Sequence, residues 1–205
     1  LDAEMSFVQS GQEVRDLMEP LIKSLITDFA KKEILGNEVV TMTHHEAAEK
    51  YGSDKPDLRF GMELVDLTEV FENTEFGVFK NAEVVKAICV KNAAALSRSQ
   101  IDSFTEIAKR EGAGGLAYIT YQDGETKSPI AKFLSSEELQ AIQEKLGAEE
   151  GDAVFFGADT RLVVNKVLGK LRSSFADHFE LKDPNVISLV WIVDFPFYEW
   201  DENNK

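Results

Sequence analysis

The chain has 205 residues, 43% of them hydrophobic, so it can bury the core of one large or two small domains. Its 37 acidic and 22 basic side chains give a net charge of −15. Such an acidic surface repels phosphate backbones, so we expect the chain itself to bind nucleic acids poorly. The single cysteine, Cys89, excludes an internal disulfide framework, and we expect a reduced, cytoplasmic protein with no signal peptide and no membrane segment.

The N-terminal part of the chain is mostly helical in pattern. Apolar residues at helical spacing and two serine or threonine capping boxes indicate where its helices begin. In chain order, the predicted elements are a strand end at Met5–Val8, a long amphipathic helix opened by Ser10 and Glu13 and kinked at Pro20, a short helix from Thr43 and Glu46 to Gly52, and another over Asp66–Phe71.

From about residue 75 the pattern changes to alternating strands and helices. The order β–α–β–β–α–β predicts a compact α+β layer. Its predicted elements are a strand at Glu83–Val90, a helix capped by Ser99 and Asp102 and ended by Gly112, a strand at Leu116–Tyr121, a hairpin turn at Asp123-Gly124, a return strand at Pro129–Leu134, a helix from Ser136 to Leu146, and a strand at Ala153–Phe156.

The C-terminal part returns to a simpler pattern. A long amphipathic helix is predicted over Leu162–Phe179, followed by an aromatic-rich strand over Leu189–Trp200, in which Pro196 favours an edge or a bulge. We therefore predict three segments: residues 1–74, an inserted module at 75–158, and a return to the first domain at 159–205.

A dense polar loop interrupts the N-terminal part. Tyr51–Leu64 reads YGSDKPDLRFGMEL, and Pro56 stiffens the loop by fixing its own φ and keeping Lys55 out of the helical region. By composition alone, a solvated connection between two elements is the simpler interpretation. The alternative is a rigid display of charged side chains beside a functional site.

Other candidate motifs carry little chemistry. The GAGGLA string at 112–117 follows a helix and precedes a strand, whereas a dinucleotide loop needs the opposite order. His44 and His45 are adjacent and cannot share one metal on a helix, and we predict no metal site. Asp2 and Glu4 alternate, so on a strand they would face the same side, either as an exposed strand end or around a cation or ligand.

Six ordered strings resemble one family over essentially the whole chain. They are LDAEMSFV (1–8), YGSDKPDLRFGMEL (51–64), GAGGLAYI (112–119), SPIAKFL (128–134), GDAVFFGAD (151–159) and WIVDFPFYEW (191–200). The chain is identified by them as similar to the bacterial-type aspartyl-tRNA synthetases, which are class II enzymes. The middle module resembles the GAD domain, which this family carries as an insertion.

The resemblance implies a fold and a parent activity. The fold would be α+β, a two-layer GAD-type module flanked by segments of an antiparallel class II catalytic domain. The parent would be an aspartate–tRNA ligase, a homodimer that uses ATP and Mg²⁺ to activate aspartate and then esterifies it to tRNA. By resemblance, Asp2 would hold the α-ammonium of aspartate, Glu4 would support it, and the rim of the site would carry Ser53, Asp54, Lys55 and Arg59.

Several parts of the family pattern have no counterpart in this sequence. The anticodon-binding barrel, motifs 1 and 3, and the arginine-bearing part of motif 2 are missing. We therefore expect no catalytic residue in this piece, no bound ATP or Mg²⁺, and an inactive chain that need not be a dimer. We also expect chain ends cut from something longer. The GAD module would be its best-ordered part. The alternative is a stand-alone, non-catalytic GAD-type module that binds tRNA, a protein or a small ligand.

Overall fold

The computed structural model describes residues 4–198. Separate helices and antiparallel strands confirm the α+β class. The elements are α1 (Gly11–Ser24, continued by a π turn at Leu25–Phe29), β1 (Glu33–Thr43), α2 (His44–Tyr51), β2 (Val65–Asp66), a 3-10 turn (Thr68–Phe71), α3 (Gly77–Lys80), β3 (Val84–Val90), α4 (Arg98–Arg110), β4 (Ala117–Gln122), β5 (Glu125–Lys127), a 3-10 turn (Ala131–Phe133), α5 (Ser136–Leu146), β6 (Ala153–Asp159), α6 (Arg161–His178) and β7 (Val186–Val193).

The larger sheet has five strands in the order β2-β3-β6-β4-β5, and each neighbouring pair is antiparallel. β6 lies between β3 and β4, with Phe155 opposite Ile88 on one side and Tyr118 on the other. Because both neighbours run against β6, they run parallel to each other and need the crossover that α4 provides.

Successive side chains of β6 face opposite sides of this sheet and anchor two cores. Phe155 packs with Leu168 and Phe175 of α6 on one face. Phe156 packs with Ile142 of α5 and with the short helices on the other face. Helices therefore cover both faces of the sheet, α4 and α6 on one face and α5 on the other, and α6 comes from the segment after residue 159.

β1 and β7 form a separate, parallel two-stranded sheet, with Val39 opposite Leu189 and Thr43 opposite Val193. The sequence analysis did not predict β1. The alternation of side chains along β1 is broken by Gly36 and Asn37, whose φ values of 64° and 55° produce an irregularity in its register with β7. α1 has no buried residue in this structure.

Some predicted boundaries are wrong. Met5–Val8 contains a turn, with Phe7 at φ 62°, instead of the end of a strand. Pro129–Leu134 forms a turn instead of the return strand, which is β5. Proline has no N–H to donate to a sheet ladder, and the tight turn at Asp123-Gly124 brings the chain back earlier.

The helix signals are mostly confirmed, with two shifts in register. The capping box of Thr43 and Glu46 is formed, and Gly52 and Gly147 end α2 and α5 in the left-handed conformation. Ser97 with Gln100 caps α4 instead of Ser99 with Asp102, and Ser135 caps α5 instead of Ser136. α1 continues through Pro20 to Ser24 before it widens into the π turn.

β7 is shorter than the predicted strand over Leu189–Trp200. It ends at Val193, Asp194 adopts φ 56°, and Pro196 lies beyond the strand. Trp200 lies outside the described residues. None of the helices within residues 4–198 combines the length and the hydropathy that crossing a membrane requires.

Candidate functional site

The polar segment over Tyr51–Leu64 forms an ordered loop between α2 and β2. Residues 52–62, which we call the signature loop, lie against α6 and the first half of β7. The backbone N–H of Leu58 donates to Ser188 Oγ at 3.2 Å, and Arg59 Nη1 donates to the carbonyl of Asp183 at 2.9 Å. The loop is thus tied to residues far along the chain, and its conformation depends on tertiary contacts.

Arg59 and Asp57 form an ion pair inside the loop. Arg59 Nη2 donates to Asp57 Oδ2 at 2.7 Å and Nε donates to Oδ1 at 3.0 Å. These bonds hold the pKa of Asp57 below its usual value, against the opposing effect of partial burial. Because Arg59 also donates to the turn before β7, its contacts here are those of a residue that holds the loop.

Arg172 of α6 supports the other half of the loop. It is 3% exposed, and its guanidinium lies 4.2 Å from the ring centroid of Phe60 and 4.9 Å from that of Tyr51. Burial lowers its pKa, yet a guanidinium stays protonated in proteins. Its Nη2 and Nε donate to four backbone carbonyls, those of Asp57 (2.7 Å), Phe60 (3.0 Å), Gly61 (3.0 Å) and Met62 (3.2 Å).

Two glycines allow α2 and α6 to touch backbone to backbone. Gly52 has φ 67°, and a Cβ there would lie 2.1 Å from the carbonyl oxygen of Asn165. A Cβ on Gly169 would lie 2.6 Å from the carbonyl oxygen of Gly52. No side chain larger than hydrogen fits at either position, so this contact fixes where the signature loop begins.

The tip of the loop carries three of the predicted rim residues, of which Lys55 is exposed and Ser53 and Asp54 are half-buried. Ser53 Oγ accepts from the backbone N–H of Lys55 at 3.0 Å, and Lys55 Nζ lies 2.6 Å from Asp54 Oδ2. The hydrogen bond from Lys55 lowers the pKa of Asp54, and nearby His44 contributes in the same direction. The Lys55 side chain is 84% exposed. These groups could contact a ligand, and their roles stay predictions.

The remaining predicted site residues lie near the chain's start. Asp2 lies outside the described residues. Glu4 is exposed and is not part of a strand, so the strand face that it was expected to share with Asp2 is not formed at Glu4. Its supporting role stays a prediction.

The histidine pair and Cys89 are solvated or packed against the protein. His44 and His45 begin α2, and the His44 ring packs 4.9 Å from that of Phe195. Within residues 4–198 no group of three or more His, Cys, Asp or Glu side chains is placed to hold a metal ion. Burial raises the pKa of Cys89 to about 12, so its thiol is a poor nucleophile at neutral pH.

The helix that supports the loop was not recognised as part of the site. Arg161, Asn165, Gly169 and Arg172 follow one another at intervals of four, four and three, which places them on one face of α6. This polar and small-residue stripe faces α2 and the signature loop, while the apolar stripe faces the sheet. The spacing of these four residues can be read from the sequence, but the sequence does not show that they face α2 and the signature loop.

Comparison with known proteins finds a family similar to the middle module and relatives similar to the whole chain. The GAD domain family matches residues 77–168. An "Aspartate--tRNA(Asp/Asn) ligase" of Aquifex aeolicus is 44% identical over 100% of this chain and 34% of its own length. The ligase of the same name from Hydrogenobaculum is 44% identical over 98% of this chain, and that of Thermodesulfovibrio yellowstonii 43% over 100%.

The chain therefore contains a region similar to the GAD domain, over residues 77–168. Its resemblance to the bacterial-type aspartyl-tRNA synthetases is confirmed over the whole chain. The chain spans about a third of the length of the curated relatives that it matches, 34% in each of these three.

Proposed function

We propose that this chain is part of an aspartate–tRNA ligase, which activates aspartate with ATP and transfers it to tRNA. The observation that carries the proposal is the 44% identity to the Aquifex aeolicus ligase over the whole chain, across both the GAD domain and its flanks. The names of these relatives include tRNA for aspartate and for asparagine. We propose the same two acceptors and a homodimer for the longer protein.

In this proposal, the flanking segments contribute to the aspartate pocket. A carboxylate such as Asp2 suits the α-ammonium of aspartate, because charge-assisted hydrogen bonds to an ammonium are short and strong. Glu4 would support it, and Ser53, Asp54 and Lys55 would form the rim. Arg59 would act by holding the loop that displays them. We keep the segment limits of 74 and 158 as proposals.

ATP and Mg²⁺ belong to other parts of the longer protein in this proposal. The described residues offer no set of three or more carboxylate, imidazole or thiol side chains for a metal ion. Arg59 and Arg172 are both engaged with the protein's own carbonyls or carboxylates. For these reasons we assign residues 4–198 no step in phosphate chemistry.

The 205-residue chain is expected to be inactive by itself. Catalysis of adenylate formation needs charge neutralisation at the phosphates, and that is the part of the site this segment does not supply. Aspartate-dependent ATP–pyrophosphate exchange is the measurement. The chain should give no exchange above background, while a protein extended through its flanking coding sequence should exchange; activity in the chain alone would contradict the proposal.

The alternative, a non-catalytic GAD-type binding module, predicts binding without chemistry. With a net charge of −15, we expect any affinity of this chain for tRNA to be weaker than about 10 µM at physiological salt and to fall further as salt rises. Filter binding across a salt series measures this. Nanomolar binding that survives physiological salt would favour the alternative and would show that the net charge misleads.

A further inference from the structure

A buried charge cluster joins α2 to the GAD domain at the N-terminal end of the α6 stripe that also carries Arg172. Lys86 of β3 is 1% exposed. Its Nζ donates to Glu49 Oε2 at 2.8 Å, to the Glu49 carbonyl at 2.9 Å and to Asn165 Oδ1 at 2.8 Å. An ammonium has three protons, so each has an acceptor, and the cation is satisfied without water.

Glu49 is correspondingly surrounded by donors. Besides Lys86, it receives Asn165 Nδ2 on Oε1 at 3.0 Å and Arg161 Nη1 on Oε2. Burial by itself would raise the pKa of Glu49, but the hydrogen bonds from Lys86 and Asn165 and the nearby positive charges lower it to about 2. The carboxylate is therefore charged across the physiological range.

The members of this cluster come from different parts of the chain. Lys86, Arg161 and Asn165 lie inside the GAD match, residues 77–168, whereas Glu49 lies outside it. Glu49 is also only three residues before Gly52, where the signature loop begins. The two GAD residues on α6 belong to the stripe whose other members touch Gly52 and the loop's carbonyls.

We propose that Glu49 is a positioning residue that docks α2 onto the GAD domain and so fixes the start of the signature loop. An apolar contact tolerates small shifts of one helix along another, whereas a fully paired buried charge is satisfied in one register. The buried ammonium of Lys86 favours the docked position of α2, because without Glu49 this charge would be buried without a counter-charge.

Three variants of the chain separate positioning from simple stabilisation. Glu49→Gln should lower Tm by about 6–12 °C, because it leaves Lys86 with no counter-charge. Glu49→Gln combined with Lys86→Met removes the buried charge as well and should recover most of that loss. The exposed pair Glu106 and Lys109, 2.9 Å apart, gives a matched control when changed to Gln and Met, with no resolved shift in Tm.

Hydrogen exchange by mass spectrometry then reports the loop. In the double variant at Glu49 and Lys86, peptides covering residues 44–62 should exchange about tenfold faster than in the wild type, while β6 peptides stay unchanged. Wild-type exchange in 44–62 despite the lost pair would overturn the positioning role. Failure of the double variant to recover Tm would overturn the coupling itself.

The pH dependence of the Tm tests the pairing of Glu49 and Lys86 independently. Because the folded pKa of Glu49, about 2, lies below its ordinary value of 4.5, its contribution is full above about pH 4.5 and is lost as the pH falls toward 2. The groups facing it are Lys86 from β3 and Arg161 from α6, with Asp66 of β2 3.7 Å beyond Arg161. The Tm difference between wild type and Glu49→Gln should shrink over that range; a constant difference would contradict the pairing.

Discussion

Alanine at Gly169 is expected to lower the free energy of unfolding by about 3 kcal/mol, the opposite of the usual effect in a helix. In an ordinary helix interior, glycine to alanine stabilises by about 1 kcal/mol. Here the new Cβ would lie 2.6 Å from the carbonyl oxygen of Gly52 and 2.9 Å from that of Tyr51. These are backbone atoms, so α2 and α6 would have to separate, and overpacking of this kind is costly.

The control for this change is a glycine with free space around it. A Cβ on Gly115 would meet nothing within 4 Å, and its φ is not in the left-handed region. Gly115→Ala should therefore stay within about 0.5 kcal/mol of the wild type. Urea unfolding of both variants gives the comparison, and a Gly169→Ala chain as stable as the wild type would show that the helices are not in backbone contact.

Replacing Arg172 with methionine is expected to cost about 3–5 kcal/mol. Methionine keeps most of the buried volume but removes the donors to four carbonyls of the signature loop, and buried acceptors without partners are expensive. The stacking on Tyr51 and Phe60 is lost as well. Urea unfolding measures the change in free energy, and hydrogen exchange in residues 57–62 should rise with it.

Arg172→Lys should restore only part of the loss. A lysine ammonium has three protons on one nitrogen, so it cannot reproduce a planar fork that spans carbonyls from Asp57 to Met62. Arg110, which is exposed on α4, is the matched control, and Arg110→Met should have no resolved effect. If Arg172→Met lay within 1 kcal/mol of the wild type, the carbonyl contacts would not be what supports the loop.

Local signals in the sequence identified much of the GAD domain. The Asp123-Gly124 turn, the glycine stop of α5 and the strands around Ile88 and Phe155 each follow from a short pattern. One error, the start of α4, occurred where two local patterns compete. Ser97-x-x-Gln100 and Ser99-x-x-Asp102 both offer a cap by sequence, and the structure forms the one with glutamine at the third position.

The site was only half visible in the sequence. The charges and Pro56 of the signature loop marked it as stiff and unusual, and the structure confirms an ordered loop. Its supports, Gly169 and Arg172, come more than 100 residues later, and no local pattern connects them to the loop. Long-range contacts of this kind are set by how α6 packs, not by helix propensity.

α6 connects the proposed inserted module, residues 75–158, to the segment that follows it. The predicted return to the first domain starts at 159, yet the GAD match continues to 168, through the first half of α6. One stripe of this helix completes the core of the five-stranded sheet. The other stripe holds α2 and the signature loop, so the two parts share a helix.

Native-state hydrogen exchange on the wild-type chain tests most directly whether α6 joins the signature loop and the GAD domain into one cooperative unit. We expect the amides of residues 48–64 that donate within the protein to exchange with the same free energy of opening as those of β3 and β6, and the exposed α1 to exchange much faster. Exchange of 48–64 together with α1, well before β6 opens, would contradict this arrangement.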